Sequence, residues 1–141
     1  MVRLRRSIAQ RTFSRVLGER LGPDVDLAHV HVVTAVAEGP GPDGEPVSVG
    51  LVGQRLALDP SRASRVVAAA VEAGYIERVA DQSDARRIAL ALTDAGRTLE
   101  RTVRAHRGAW FGAAMEGWPA ADRKRFAELF TRFVDGLTGE R

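Results

Sequence analysis

The stretch from Ser48 to Gly74 constrains this chain more than any other, because two helix starts, a tight turn and a helix stop follow one another there without a gap. Ser48 caps a helix running to about Leu58, with Leu51, Val52, Arg55, Leu56 and Leu58 on its buried side. Asp59 is a good N-cap, and Pro60 suits the first helical position, where the N–H that proline lacks would be unpaired in any case. In the second helix Ala63, Val67, Ala70 and Val71 recur at the spacing of a buried stripe, which leaves Ser61, Arg62, Ser64 and Arg65 facing outward. Gly74 then stands at C′, where the left-handed backbone conformation is cheap only for glycine. A helix, a tight turn and a second helix presenting short polar and cationic side chains from its N-terminal end is the pattern of a helix-turn-helix with its recognition helix.

At 141 residues the chain is sized for one domain, 1–141, with its own core. No apolar stretch approaches the roughly 18 residues of a membrane span, and Arg3, Arg5 and Arg6 precede no signal-like apolar segment, so the expectation is a cytoplasmic protein with no membrane partner. The absence of cysteine excludes disulfides, thiolate metal sites and cysteine nucleophiles. Net charge is only +3, yet of 21 basic residues only Lys124 is a lysine. Arginine suits phosphates and guanine edges, although a GC-rich coding bias gives the same composition. In a symmetric dimer two basic faces align, and a modest net charge then makes a strong local field.

The remaining segments frame the central stretch. Ile8, Ala9, Thr12, Phe13, Val16 and Leu17 give an amphipathic helix over Leu4–Leu21, whose arginines form a solvated face or meet DNA or a membrane surface. Val25–Ala37, capped by Asp24 or Asp26, is nearly continuous in apolar residues and reads as a buried helix ended by the Gly39–Gly44 loop. His29 and His31 sit two apart, which on a helix sends them to different faces and suits packing better than metal chelation; no metal or cofactor is expected. Val47 reads as a short edge strand. Tyr75–Val79 and Ile88–Leu92 read as a hairpin around the polar tip Ala80–Arg87, in the place of a wing after a recognition helix. Arg86 and Arg87 near that tip suit a narrow minor groove, or pair with Asp81 or Asp84 across the loop. Thr93 caps a long helix from Asp94 to about Met115, Gly117-Trp118-Pro119 breaks it, and Phe126, Leu129, Phe130, Phe133, Val134 and Leu137 give a final helix an apolar stripe. That stripe, with the first helix, reads as a dimer seam. The fold class is mainly α with a small β-hairpin.

Several motifs together resemble the multiple-antibiotic-resistance regulator (MarR) family of winged-helix transcription factors. They are Leu51-Val52-Gly53-Gln54-Arg55-Leu56, the helix Asp59–Val67, the turn Glu72-Ala73-Gly74-Tyr75-Ile76-Glu77-Arg78, Asp84-Ala85-Arg86 where the family has Asp-x-Arg, and Leu92-Thr93-Asp94-Ala95-Gly96-Arg97 where it has Leu-Thr-x-x-Gly. The resemblance implies a homodimer, with segments 1–38 and 98–141 as dimerisation helices and 45–97 as the winged helix-turn-helix. It implies a DNA-binding transcriptional regulator acting on a pseudo-palindromic double-stranded operator, a repressor released by a small-molecule effector. Ser61, Arg62, Ser64 and Arg65 carry over as recognition-helix contacts, Arg86 as the minor-groove arginine with Arg87 beside it, and Asp84 as the acid that orients the wing. An aromatic or anionic effector would lie against the first two helices and the start of the long one, making Arg11, Arg15, His29 and His31 its candidates. Tyr75, Ala85 and Ala70 depart from the family pattern; Ala85 reduces the wing's charge.

Two other function classes stand beside this one: a winged-helix protein-interaction module that does not bind DNA, favoured by the small net charge, and a metal-responsive regulator drawing on His29, His31 and His106. An enzyme is not expected, since no nucleophile-base pair, phosphate loop or His-Glu-x-x-His motif is present.

Overall fold

The structure, a computed structural model, describes residues 25–81 and 87–138. The expected first helix and the hairpin tip, with Asp84 and Arg86, lie outside the described residues. The described elements are α1 (Leu27–Ala37), α2 (Val49–Leu56), α3 (Pro60–Glu72), β1 (Ile76–Ala80), β2 (Ile88–Leu92), α4 (Asp94–Ala114) and α5 (Ala120–Thr138). They fall into two units, one up to Ala105 and the other from His106.

In the first unit α1 is the centre of the core. Val30, Val32, Val33, Ala35 and Val36 are all buried, so the helix is enclosed on most sides, which is why its sequence shows a run of apolar residues in place of a stripe. Asp26 is its cap, accepting from the Ala28 N–H at 2.8 Å. Val52 of α2, Val67 and Ala70 of α3, Ile76, Leu90, Leu99 and Val103 complete the core.

Arg55 of α2 ties the core helices together. Its Nη1 donates to the Ala35 carbonyl at 2.7 Å, its Nη2 to the Pro40 carbonyl at 3.1 Å, and its Nε lies 3.2 Å from Glu38 Oε2. The Ala35 carbonyl belongs to the last turn of α1, where carbonyls have no intrahelical partner, so a half-buried cation satisfies it and complements the negative end of the helix dipole.

The expected extension of the first central helix to about Leu58 is corrected: α2 stops at Leu56. Ala57 takes a left-handed conformation with φ 54°, and the Leu58 N–H donates back to the Gly53 carbonyl at 2.9 Å while the Ala57 N–H donates to Gln54 at 3.2 Å. This is a Schellman closure with alanine in the place usually held by glycine. α3 ends by the same bonds, from Tyr75 to Ala70 and from Gly74 to Val71, with Gly74 at φ 81° as its sequence position predicts.

β1 and β2 pair antiparallel, Ile76 opposite Leu92 and Ala80 opposite Ile88. The first strand begins at Ile76 and not at Tyr75, because the Tyr75 backbone is spent elsewhere: its N–H closes α3 and its carbonyl accepts from Thr93 at 3.1 Å. Val47 forms no strand; its carbonyl accepts a single bond from the Leu90 N–H at 2.8 Å. Thr93 closes the base of the hairpin twice, its hydroxyl donating to the Gly74 carbonyl at 2.6 Å and accepting the Gly96 N–H at 3.1 Å. Gly96 packs directly on the backbone of Tyr75, where an added Cβ would overlap the carbonyl oxygen.

In the second unit α5 leaves its apolar stripe exposed, with Phe126, Leu129, Phe130 and Phe133 between 37% and 60% accessible. Phe126 stacks on Phe130 and meets the edge of Trp118, with ring centroids 5.6 Å apart in both pairs. Pro119 precedes α5, and its carbonyl accepts from the N–H groups of Asp122 and Arg123.

Two substitutions test this reading in chemical denaturation. Gly96→Ala is expected to destabilise the fold by about 1–3 kcal/mol, since its methyl meets rigid backbone. Ala57→Gly is expected to stabilise it by roughly 0.5–1 kcal/mol, because relief of left-handed strain outweighs the entropy that glycine adds to the unfolded chain.

Candidate nucleic-acid interface

The surface of interest is built by the asymmetry of α3. Ala63, Val67 and Ala70 are buried, and small side chains at the first of these let the helices approach closely: a Cβ at Gly53 would lie 3.0 Å from the Ala63 methyl. Ser61, Arg62, Ser64 and Arg65 are all exposed on the opposite side. The four sequence-predicted residues of the recognition helix therefore share one solvent-facing surface at its N-terminal end.

The two arginines are held at their bases. Asp59 caps α3, its Oδ1 accepting the Arg62 N–H at 2.9 Å, and its Oδ2 lies 3.5 Å from Arg62 Nε. Arg65 Nε donates to the Ser61 carbonyl at 3.4 Å, a long bond one turn back along the helix. Sequence reasoning treated Asp59 as a cap alone. The Asp-to-Arg spacing of three, which places side chains side by side on a helix, was the signal for its second contact.

The hairpin adds further cations. Arg87 is exposed, and its carbonyl accepts the Asp81 N–H at 2.8 Å, extending the ladder beyond the last paired strand residues. Arg78 on β1 is exposed as well; it stands opposite Leu90 and on the same face as Ala80 and Ile88. Alternation along Ile76-Glu77-Arg78 could not have singled it out, because it puts Arg78 on the face of the buried Ile76.

A helix-turn-helix followed by a two-stranded hairpin and a long helix is the architecture of a winged helix. A model described as the MarR family matches residues 24–87. Solved structures share the fold over most of the chain. One is CouR from Rhodococcus jostii RHA1 bound to p-coumaroyl-CoA, 23% identical with a TM-score of 0.71 over 96% of this chain and 90% of that one. A MarR family protein from Bacillus stearothermophilus is 18% identical with a TM-score of 0.73, over 96% and 91%. FabT of Streptococcus pneumoniae in complex with DNA is 20% identical with a TM-score of 0.63, over 84% and 79%. No curated protein matches the sequence.

The junction at Thr93 and Gly96 gives a physical meaning to the Leu-Thr-x-x-Gly spacing: the threonine ties the hairpin base to the end of α3, and the glycine admits the Tyr75 backbone. Tyr75, a departure from the family pattern, packs its ring against His29 of α1 at a centroid distance of 5.7 Å. His31 is half-buried, and burial lowers its pKa below the usual 6.5, with Asp26 opposing part of the shift. Arg11 and Arg15 lie outside the described residues. Among the described residues no three histidines or carboxylates gather as metal ligands, and no helix is long and apolar enough to cross a membrane.

Because the folded chain holds the His31 proton less tightly than the unfolded chain, the unfolded state binds more protons below pH 6.5. Stability is expected to be full above that value and to fall as pH drops from it through the lowered folded pKa. Denaturation midpoints measured across this window should show the slope, and His31→Gln should flatten it.

Proposed function

We propose that this chain is a homodimeric transcription regulator that binds double-stranded DNA by sequence, and a repressor released by a small-molecule effector. One observation carries the reading. Ser61, Arg62, Ser64 and Arg65 stand exposed together at the N-terminal end of α3 while the other side of the same helix is sealed into the core. Serine and arginine at the start of a helix that follows a tight turn are the side chains and the position that read base edges in a major groove.

The wing serves the flanking minor groove. Arg86 and Arg87 enter it, attracted by the negative potential of its narrow form, and Asp84 orients the tip. Winged-helix segment 45–97 forms the reading head, and segments 1–38 and 98–141 pair the two copies. The exposed aromatic stripe of α5 supports that pairing, because a soluble monomer rarely leaves such a row of large apolar side chains uncovered. Two copies related by a two-fold axis would read half-sites about 10 bp apart on a pseudo-palindromic operator. FabT in complex with DNA and CouR bound to p-coumaroyl-CoA are consistent with both arms of the reading. The effector is an aromatic or anionic molecule lying against the first two helices and the start of the long one, near Arg11, Arg15, His29 and His31. The chain acts in the cytoplasm and is not an enzyme.

The test is selection of bound sequences from a random duplex pool, followed by affinity measurements at several salt concentrations. Affinity should fall steeply as salt rises, because phosphate contacts release counterions. Arg65→Ala should cost on the order of 1–3 kcal/mol at one base position per half-site. A loss equal at every sequence would make Arg65 a phosphate contact, and binding that never exceeds background at low salt would favour the protein-interaction module instead.

A further inference from the structure

We infer that Asp59 is a positioning residue for base readout: by holding Arg62 at Nε it turns the Nη1–Nη2 end of the guanidinium toward a guanine in the major groove. The inference rests on the DNA-binding reading and adds a residue and a binding geometry to it.

The carboxylate of Asp59 has two oxygens with two separate tasks. Oδ1 accepts the Arg62 backbone N–H at 2.9 Å and so fixes the start of α3. Oδ2 lies 3.5 Å from Nε of the same arginine. Backbone and side chain of Arg62 are thereby both referred to one rigid group. A guanidinium offers a base two bidentate edges, the side edge with Nε and the terminal edge with Nη1 and Nη2. The Asp59 carboxylate beside Nε sits at the first edge and leaves the second to face outward, where guanine presents O6 and N7 as a matching pair of acceptors. Both side chains are more than half exposed, at 69% and 55%, so in free protein water screens the pair. Docking on a duplex excludes that water and strengthens the attraction.

The charge balance supports a positioning role over a purely electrostatic one. A carboxylate beside the groove-facing surface repels phosphates, a cost that a serine or asparagine cap avoids and that the helix dipole offsets only in part. Arg65 is held in a parallel manner, with Nε on the Ser61 carbonyl, although by a neutral acceptor. Arg62 is thus the arginine whose orientation depends on a removable side chain.

The experiment uses the full chain and a duplex that the wild-type protein has selected, with each half-site base changed in turn. Asp59→Asn and Asp59→Ser keep the cap and remove the charge, and thermal melts confirm that both fold. Each is expected to lower the preference for guanine at one position by about five- to tenfold, a fraction of what a full bidentate contact discriminates. Arg62→Ala should abolish preference at that same position, and the double variant should lose no more than Arg62→Ala alone. Binding to random duplex should hold or rise, since a negative charge has gone. A uniform change at all positions, or losses at two different positions that add, would overturn the assignment while leaving DNA binding intact. A wild-type protein that selects no sequence would overturn the DNA-binding reading and this inference with it.

Discussion

The backbone of Tyr75 lies against Gly96, and the placement of the hairpin against the end of α3 follows from that contact. Within a few residues of it the recognition helix ends, the hairpin begins and returns, and the long helix starts. Thr93 closes the arrangement by donating its hydroxyl to the Gly74 carbonyl while its backbone N–H donates to Tyr75. A side chain at residue 96 would force the α4 backbone away from the turn. The first strand pair, Ile76 opposite Leu92, would then lose its fixed distance from the end of α3. The placement of the hairpin against the end of α3 is therefore set by close backbone packing and two hydrogen bonds from one threonine.

A second constraint acts at the other end of α3. The core is built mainly of valine and alanine, which fill little volume, so its helices must approach closely to exclude water. Gly53 against Ala63 is where α2 and α3 do so. Close approach requires α2 to stop early and turn sharply, and Ala57 takes a left-handed conformation to let it. Arg55 meanwhile secures the far side of α2 to the end of α1 through three contacts. Between these two fixed ends, α3 presents Ser61, Arg62, Ser64 and Arg65 to solvent, and none of these four is needed for the core.

Where the sequence spoke clearly, it did so through residues whose effect is local. Asp59-Pro60, Gly74, Thr93 and the apolar spacing of α3 fix helix limits and faces by backbone chemistry that involves only near neighbours. It was less informative where the deciding partner is distant in the chain. Asp24 and Asp26 were equal candidates for the cap of α1; Asp26 holds the place. Tyr75 looked like an addition to a strand and proves to belong to a turn, since both its backbone groups are committed to helices on either side. Arg55 read as one member of a buried face, and its role as a cap for another helix, 20 residues away, left no trace in periodicity.

By itself, then, the sequence determined the order of elements, the two-faced recognition helix, the hairpin after it and the exposed aromatic stripe on α5, because each is written in spacings of three, four or two residues. Only the tertiary structure decided that Asp59 holds Arg62 by its side chain as well as its backbone, that Ala57 accepts a left-handed turn, and that Gly96 exists to admit a carbonyl from another segment. These outcomes depend on which groups meet after the chain has closed on itself. Spacing records which face a residue occupies, whereas the identity of what lies across from that face is fixed by packing.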